Sequence, residues 1–240
     1  FSNHHFYDSK LILFPSPQAI SAELGIRYKK IEGCFNERCN KEEAAAIVEE
    51  AADILRQHPE ESLGIVAMNN PQQEEIAARF EQILKDDPLL QKIYDDKAKT
   101  TPVFIKNLEN VQGDERDVIL ISMTYGPQQP GGRVHQRFGP INSNDGWRRL
   151  NVLFTRAKKR MHIFSSMNAA DILTTADSKK GVVSLRAFLE YCEKGHLYQA
   201  AITDRAPDSD FEIAVMEALA QYGYQCVPQV GVNGFFLDIA

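Results

Sequence analysis

Two stretches of the sequence decide the fold, Asn107-Leu-Glu-Asn-Val-Gln-Gly-Asp-Glu-Arg-Asp-Val-Ile-Leu-Ile-Ser122 and Arg148-Arg-Leu-Asn-Val-Leu-Phe-Thr-Arg-Ala-Lys-Lys-Arg-Met-His-Ile-Phe164. Each joins a polar, charged block to a short run of aliphatic residues. Such a run is typical of a strand that is buried on both faces of a parallel sheet. Ligands of an open α/β sheet bind at the carboxyl ends of its strands, so we expect a site where these polar and apolar blocks meet.

Strand and helix patterns alternate before these two stretches. Asn40 and Glu43 form a capping-box pattern at the start of a long amphipathic helix. The continuous apolar run 63–68 predicts a buried strand, and Pro71 begins a second helix that ends near Lys85. This alternation predicts the α/β class, with a mostly parallel sheet flanked by helices.

The rest of the first 200 residues predicts further strands and helices and one long loop. We predict strands at 26–35, 103–105, 118–123 and 161–165, helices at 147–159 and 182–194, and a polar loop at 125–146. Residues 86–101 show no clear type. A structureless loop as long as 125–146 is uncommon in a compact domain unless it is functional or disordered.

The distribution of charge and the length of the apolar runs bear on which ligands and which cellular location we expect. The net charge is −6, yet residues 148–160 hold six Lys and Arg and no acid. This basic run is either a solvated helix face or a phosphate-binding site. No apolar run approaches the roughly 20 residues that cross a bilayer, so we expect a cytoplasmic protein with no membrane partner.

Both charged blocks contain residues that could bind a ligand or take part in catalysis. Gly113 permits a close approach of backbone to a ligand, while Gln112 and Glu115 suit a water and a ribose hydroxyl; a simple polar turn is the alternative. Arg149 and Arg156 lie two turns apart on the predicted helix 147–159, on one face. Two guanidinium groups so placed suit a phosphate that gains negative charge, as an arginine finger does.

Together these blocks resemble superfamily 1 DNA and RNA helicases. Residues 112–117 look like motif V, residues 148–157 look like motif VI, and residues 63–72 resemble motif IV. The resemblance covers about residues 1–200 and implies the second RecA-like domain of an ATP-dependent motor. It also implies nucleic acid as a partner, with DNA favoured over RNA.

The resemblance assigns a role to each matching position that faces the nucleotide. Arg156 would reach the γ-phosphate as a catalytic group, with Arg149 beside the nucleotide. Gln112, also catalytic, and Gly113 would lie near that phosphate, and Glu115 near the ribose.

The resemblance also implies a track for nucleic acid. Asn107 stands where relatives often carry Thr or Ser against the nucleic-acid backbone, and Asn69 and Asn70 belong to the same track.

The phosphate-binding loop pattern G-x-x-x-x-G-K-[ST] does not occur in this sequence. The resemblance therefore implies that a first RecA-like domain of the same polypeptide completes the ATP and Mg²⁺ site. We expect the present chain alone to bind no cofactor tightly, to hydrolyse no ATP and to unwind no nucleic acid.

The tail of the chain carries a second resemblance. Ser209 and Glu212 predict a capped helix, and Asn233-Gly234 predicts a hairpin turn between two strands. This order is similar to the start of restriction-endonuclease-like domains related to very-short-patch-repair nucleases. Asp238 matches the first acid of their divalent-metal site, whose E-x-K strand would lie beyond Ala240.

We therefore expect three segments: a second RecA-like domain at 1–198, a linker at 199–208 and an endonuclease-like fragment at 209–240. Two alternatives to a helicase motor stay open. Metal-dependent DNA cleavage by the tail is one, and a non-catalytic nucleic-acid-binding scaffold is the other. The intact Gln-Gly-x-Glu and Thr-Arg-Ala sequences disfavour the scaffold.

Overall fold

The structure is a computed structural model that describes residues 1–8, 10, 11, 24–194, 209–222, 224, 226, 228–232 and 235–239, the last two ranges as backbone. The chain divides into two compact units. The larger unit comprises Ser2 and residues 19–195, and the smaller comprises Phe1, residues 3–18 and residues 196–240.

The described strands are β1 (Gly25–Lys30), β2 (Phe35–Asn36), β3 (Cys39–Asn40), β4 (Leu63–Ala67), β5 (Phe104–Asn107), β6 (Arg116–Ser122), β7 (Ala157–Ser165), β8 (Pro228–Val232) and β9 (Phe235–Ile239). The described α-helices are α1 (Ser2–Phe6), α2 (Lys41–Gln57), α3 (Asn70–Asp86), α4 (Pro88–Ala98), α5 (Gly146–Phe154), α6 (Lys180–Lys194) and α7 (Asp210–Gln221). Short 3-10 helices occupy Gly139–Asn142 and Ala169–Asp171.

A five-stranded parallel sheet forms the centre of the larger unit, in the order β1-β7-β6-β4-β5. The α/β class and the predicted strands at 63–68 and 118–123 are thus confirmed. Because all five strands run in one direction, their ends define two edges. We call them the carboxyl edge and the amino edge.

Helices bury both faces of this sheet. Alternate residues of β4 and β6 pack with α2, α3 and α4 in one apolar cluster. On the other face α5 packs against α6, where the rings of Phe154 and Phe188 stack with centroids 3.6 Å apart. Burial on both faces explains why the central strands read as unbroken apolar runs.

Two sequence predictions were wrong in detail, and one stretch for which no type was predicted is a helix. Residues 86–101, left without a type, contain α4, which Asp87 caps by accepting hydrogen bonds from the backbone N–H groups of Leu89 and Leu90 at 3.0 Å. Strand β1 stops at Lys30 instead of running to Phe35; in the irregular stretch that follows, Gly33 packs so closely that a Cβ there would lie 2.4 Å from Asn40 Oδ1. The helix predicted at 147–159 ends at Phe154, since residues from Ala157 onward join the sheet as β7.

The smaller unit contains α7 and an antiparallel hairpin of β8 and β9. The predicted cap is confirmed, because Ser209 Oγ accepts a hydrogen bond from the backbone N–H of Glu212 at 3.2 Å. Asn233, Gly234 and the predicted linker 199–208 lie outside the described residues. Among the helices that the structure describes, none is long and apolar enough to cross a bilayer.

A buried carboxylate ties α2 to the carboxyl edge. Glu43 accepts hydrogen bonds from the backbone N–H groups of Thr124 and Ser166 at 2.7 Å each, and from Ser122 Oγ at 2.6 Å. The capping-box prediction is therefore only half right. Asn40 Oδ1 does accept from the Glu43 N–H at 3.1 Å, but the Asn40 N–H donates to Gln72 Oε1 at 2.6 Å instead of to Glu43.

The Glu43 carboxylate also holds an unfavourable backbone conformation in place. Thr124 has φ +68°, a left-handed conformation that a β-branched residue rarely adopts. Such a conformation costs about 1–3 kcal/mol and persists only where the surroundings fix it. The hydrogen bond from the Thr124 N–H to Glu43 supplies that fixation at the point where the long loop leaves β6.

We predict that Glu43→Ala lowers the free energy of unfolding by about 2–5 kcal/mol, because two buried backbone N–H groups lose their acceptor. Urea denaturation measures the change. The control is Glu49→Ala, an exposed position on the same helix, for which we expect a change within about 0.5 kcal/mol. Equal stability of the two variants would contradict the assignment.

The difference in stability between wild type and Glu43→Ala should also depend on pH. Burial raises the pKa of Glu43 to about 7, against the hydrogen bonds that favour its charged form. The folded protein then retains a proton that the unfolded chain releases, so this contribution is complete below the ordinary glutamate pKa and is lost as pH rises through about 7. The stability difference between wild type and Glu43→Ala should therefore be larger at pH 5 than at pH 8; a constant difference would refute this.

Candidate functional site

The two charged blocks meet at the amino edge of the sheet. The connection 108–115 returns from the end of β5 to the start of β6, and Arg156 directly precedes β7. The Arg116 N–H donates to the Arg156 carbonyl at 3.2 Å, which fixes the two blocks side by side. Our expectation of a site at the carboxyl ends was wrong for these residues, because both polar blocks come before their strands.

Arg156 is held in a defined orientation. Its Nε donates to the Val152 carbonyl at 2.8 Å, and one terminal nitrogen donates to Thr155 Oγ1 at 3.0 Å. The other terminal nitrogen lies 3.8 Å from a Glu115 carboxylate oxygen. The side chain of Arg156 is 17% exposed and that of Glu115 is 52% exposed, so the arginine is mostly buried while its acidic partner faces solvent.

Arg149 does not share a helix face with Arg156, contrary to the prediction. Arg149 lies on α5, whereas Arg156 follows the end of that helix. Arg149 donates to Ser143 Oγ at 3.1 Å and lies 3.9 Å from Glu109. Each of the two arginines therefore faces one acid of the connection 108–115.

Gly113 lies in the turn before β6 with φ +89°. A Cβ at this position would meet nothing within 4 Å, so the surface beside it is open. Gln112 next to it is exposed, and it makes no hydrogen bond to any residue that the structure describes. The turn thus leaves its backbone and the Gln112 amide open to solvent at the amino edge.

The asparagines predicted to track nucleic acid lie at the other edge. Asn107 ends β5 and is buried; its Nδ2 donates to Asn70 Oδ1 and to Gln73 Oε1. Its Oδ1 accepts from the backbone N–H groups of the next turn. Asn69 caps α3 and donates to the Arg38 carbonyl at 3.0 Å, while Asn70 is exposed.

Asp238 lies on β9 in the smaller unit, and its side chain is outside the described part of the structure. The metal role predicted for it stays a prediction.

A buried ion pair stabilises the amino edge of the sheet. Arg160 on β7 donates to both carboxylate oxygens of Glu61, and both side chains are almost fully buried. Asp117 on β6 accepts from the backbone N–H and the hydroxyl of Ser62 at 2.9 and 2.7 Å. These contacts fix the starts of β6 and β7, the strands that carry the Gly113 turn and Arg156.

Sequence reasoning missed the partners of the predicted residues. Glu109 and Ser143 hold Arg149, and Val152 and Thr155 hold Arg156. Thr155 stands next to Arg156 in the motif, so its position was a usable signal. Ser143 lies six residues before Arg149, whereas Glu109 lies far from it along the chain, and only the fold brings Glu109 and Arg149 together.

We predict that Gly113→Ala lowers the free energy of unfolding by about 1–2 kcal/mol, because alanine resists a positive φ even where space is open. The matched change Gln112→Ala at the neighbouring exposed position should cost less than about 0.5 kcal/mol. Urea titration of both variants checks this, and a Gly113→Ala protein as stable as wild type would contradict it.

Comparison with known proteins places the chain in a family. The uncharacterized ATP-dependent helicase MG140 homolog of Mycoplasma pneumoniae is 32% identical over 197 residues, which cover 80% of this chain and 17% of that protein. The uncharacterized ATP-dependent helicase MG140 of Mycoplasma genitalium matches with the same identity and coverage. DNA polymerase alpha-associated DNA helicase A of Saccharomyces cerevisiae is 26% identical over 151 residues, 62% of this chain and 18% of its own length.

The chain thus spans less than a fifth of the length of these relatives. A family described as AAA domain matches residues 1–168. That match extends over more than half of the sequence, and it includes the parallel sheet, the Gly113 turn and Arg156. The chain belongs to the AAA domain family.

Proposed function

We propose that this chain is the second RecA-like domain of a superfamily 1 helicase motor and that Arg156 is its arginine finger. The observation that carries the proposal is the fixed guanidinium of Arg156 beside the Gln112–Glu115 turn at the amino edge. An arginine held in this way offers two N–H donors to an oxyanion without a further loss of side-chain freedom.

Displacement of Glu115 by a phosphate is the first step that the geometry supports. The contact between Arg156 and Glu115 is long, at 3.8 Å, and the carboxylate is half exposed. Exposed ion pairs of this kind contribute about 0–1 kcal/mol. A γ-phosphate brought into the cleft carries more negative charge and matches the fork of the guanidinium, so it replaces the carboxylate. Glu115 is then free to accept a hydrogen bond from a ribose hydroxyl.

The rest of the nucleotide site follows from the same turn. Gly113 lets its backbone approach the phosphate, Gln112 orients the attacking water, and Arg149 adds positive charge from α5. The β-phosphate cradle and the Mg²⁺ ligands would come from a first RecA-like domain of the same polypeptide. ATP and Mg²⁺ would thus bind between two domains, and this chain would supply the half that stabilises the transition state.

The nucleic-acid track of the proposal lies at the carboxyl edge. Asn107 is buried and its side chain is fully hydrogen-bonded, so its role there is to hold Asn70 and the turn after β5. Asn70 is exposed at the same edge and is the member placed to reach a phosphate. Two of the similar proteins are ATP-dependent helicases and one is a DNA helicase, which supports nucleic acid as the partner and favours DNA.

We predict that Arg156→Ala in the full-length parent lowers the ATPase turnover number by about 10³-fold or more, the range measured for arginine fingers. Arg156→Lys should not restore turnover, because an ammonium group lacks the planar fork. Arg148→Ala is the matched control. It removes an exposed arginine from α5 in the same motif, which contacts Asp145 at 3.5 Å and lies over the Trp147 ring, and should retain activity within about threefold.

A steady-state ATPase assay with saturating nucleic acid distinguishes these outcomes. Circular dichroism and thermal unfolding show whether each variant folds. A folded Arg156→Ala protein with wild-type turnover would refute the arginine finger. For the isolated chain we expect no ATP turnover, and a rate similar to that of the parent would refute the two-domain site.

The tail supports a second candidate activity, metal-dependent cleavage of DNA. The observation in its favour is the backbone order of capped helix and antiparallel hairpin, with Asp238 on the second strand of that hairpin. The candidate requires an E-x-K strand after Ala240 in the parent. We predict that Asp238→Asn abolishes Mg²⁺-dependent nicking by the parent while its ATPase continues; absence of nicking by the wild-type parent would eliminate this activity.

A further inference from the structure

Three arginines at the carboxyl edge differ from most of the other arginines that the structure describes. The side chains of Arg38, Arg133 and Arg137 make neither a hydrogen bond nor an ion pair with any residue that the structure describes. Most of the other described arginines have at least one such partner, as Arg56 has in Asp53 and Asp87. In a protein of net charge −6, uncommitted guanidinium groups in one region indicate an anionic ligand from outside the chain.

Arg133 and Arg137 lie on the long loop between β6 and α5, and this loop is held in place. Val134 and Phe138 are buried, and the Phe138 N–H donates to Asn142 Oδ1 at 2.5 Å. Gln136 donates to the Asp171 carbonyl at 2.9 Å and accepts from the Leu173 N–H at 2.8 Å. The intervening residues Arg133, His135 and Arg137 are exposed. The loop therefore presents a preorganised row of basic side chains.

Arg38 joins this row through the turn between β2 and β3. The Phe35 N–H donates to the Pro127 carbonyl at 2.8 Å, and Asn36 Nδ2 donates to the Gln128 carbonyl at 3.1 Å. The Arg38 carbonyl accepts from Asn69 Nδ2 at 3.0 Å. The β2–β3 turn thus connects the loop of Arg133 with the asparagines at the end of β4.

Charge in the loop favours an anion over other ligands. Residues 125–149 contain four arginines (133, 137, 148 and 149) and one acid, Asp145, so their net charge is +3 while that of the whole chain is −6. Asp145 lies 3.5 Å from Arg148 and leaves Arg133 and Arg137 uncompensated. Glu37, the acid beside Arg38, makes no ion pair with it.

We propose that Arg38, Arg133 and Arg137 form a strip that contacts the phosphates of a single nucleic-acid strand, continuing the track of Asn69 and Asn70 across the carboxyl edge. This inference rests on the proposed function, because it takes a nucleic-acid strand to lie on that edge. The strip reads no bases. Point charges on a fixed loop bind phosphates irrespective of sequence and release counterions as they do so.

The test is the salt dependence of binding to a fluorescein-labelled oligothymidine of about 12 nucleotides, measured by anisotropy between about 50 and 200 mM NaCl. Each phosphate contact with a single strand contributes about 0.7 to the slope of log K against log salt. In the triple variant Arg38→Ala/Arg133→Ala/Arg137→Ala the magnitude of that slope should therefore be smaller by about 2 than in the wild type. Its affinity at the lowest salt should fall by about tenfold or more.

The matched control is Arg56→Ala/Arg79→Ala/Lys85→Ala, which removes three positive charges from α2 and α3. Both triple variants have net charge −9, since three are lost from −6. The control should keep the wild-type slope, and the strip variant should keep the wild-type thermal midpoint because its side chains hold nothing in the fold. Equal slopes in wild type and strip variant, or equal losses in both variants, would overturn the strip and leave the motor proposal intact. An absence of any binding by the wild-type chain would contradict nucleic-acid binding itself.

Discussion

Parallel pairing of β6 with β7 is the constraint on which the rest of this structure depends. Arg116 pairs with Ala157 at the start of the two strands, and the Arg116 N–H donates to the Arg156 carbonyl. That register brings two segments about 40 residues apart to the same edge. The Gly113 turn precedes one strand and Arg156 precedes the other, so a slip in register would separate them.

The same two strands link the opposite edges of the sheet. At their carboxyl ends, Thr124 and Ser166 both donate to the buried Glu43 carboxylate. A strand of seven residues spans about 23 Å, so β6 joins the proposed nucleotide side to the loop that carries Arg133 and Arg137. In our proposal, a ligand at Arg156 and a ligand at the loop would bind near the two opposite ends of the same strands of the sheet.

Much of this arrangement could be predicted from the sequence, and the parts that could not share a physical cause. Buried parallel strands such as β4 are evident because both faces demand apolar residues. The end of α5 was placed too late, because the basic residues after Arg156 suit a helix as well as a strand and only their pairing with β6 decides. Helix α4 was missed because its sequence has a small apolar face and many charges.

Long-range partners were the other gap in the sequence reading. Asn107 was predicted to touch nucleic acid, yet the fold surrounds its side chain with Asn70, Gln73 and the next turn. Glu43 was read as a local cap, and its carboxylate instead accepts from residues about 80 and 120 positions away. Neither relation leaves a periodic signal, since each depends on which loops the sheet brings together.

The most direct test of the account is a structure of the full-length parent with ADP and aluminium fluoride, which imitate the transferred phosphate. We expect Arg156 within hydrogen-bond distance, about 3 Å, of the fluoride ligands, with Glu115 turned away from the guanidinium. An Arg156 side chain still paired with Glu115, outside the reach of the phosphate mimic, would contradict the central claim.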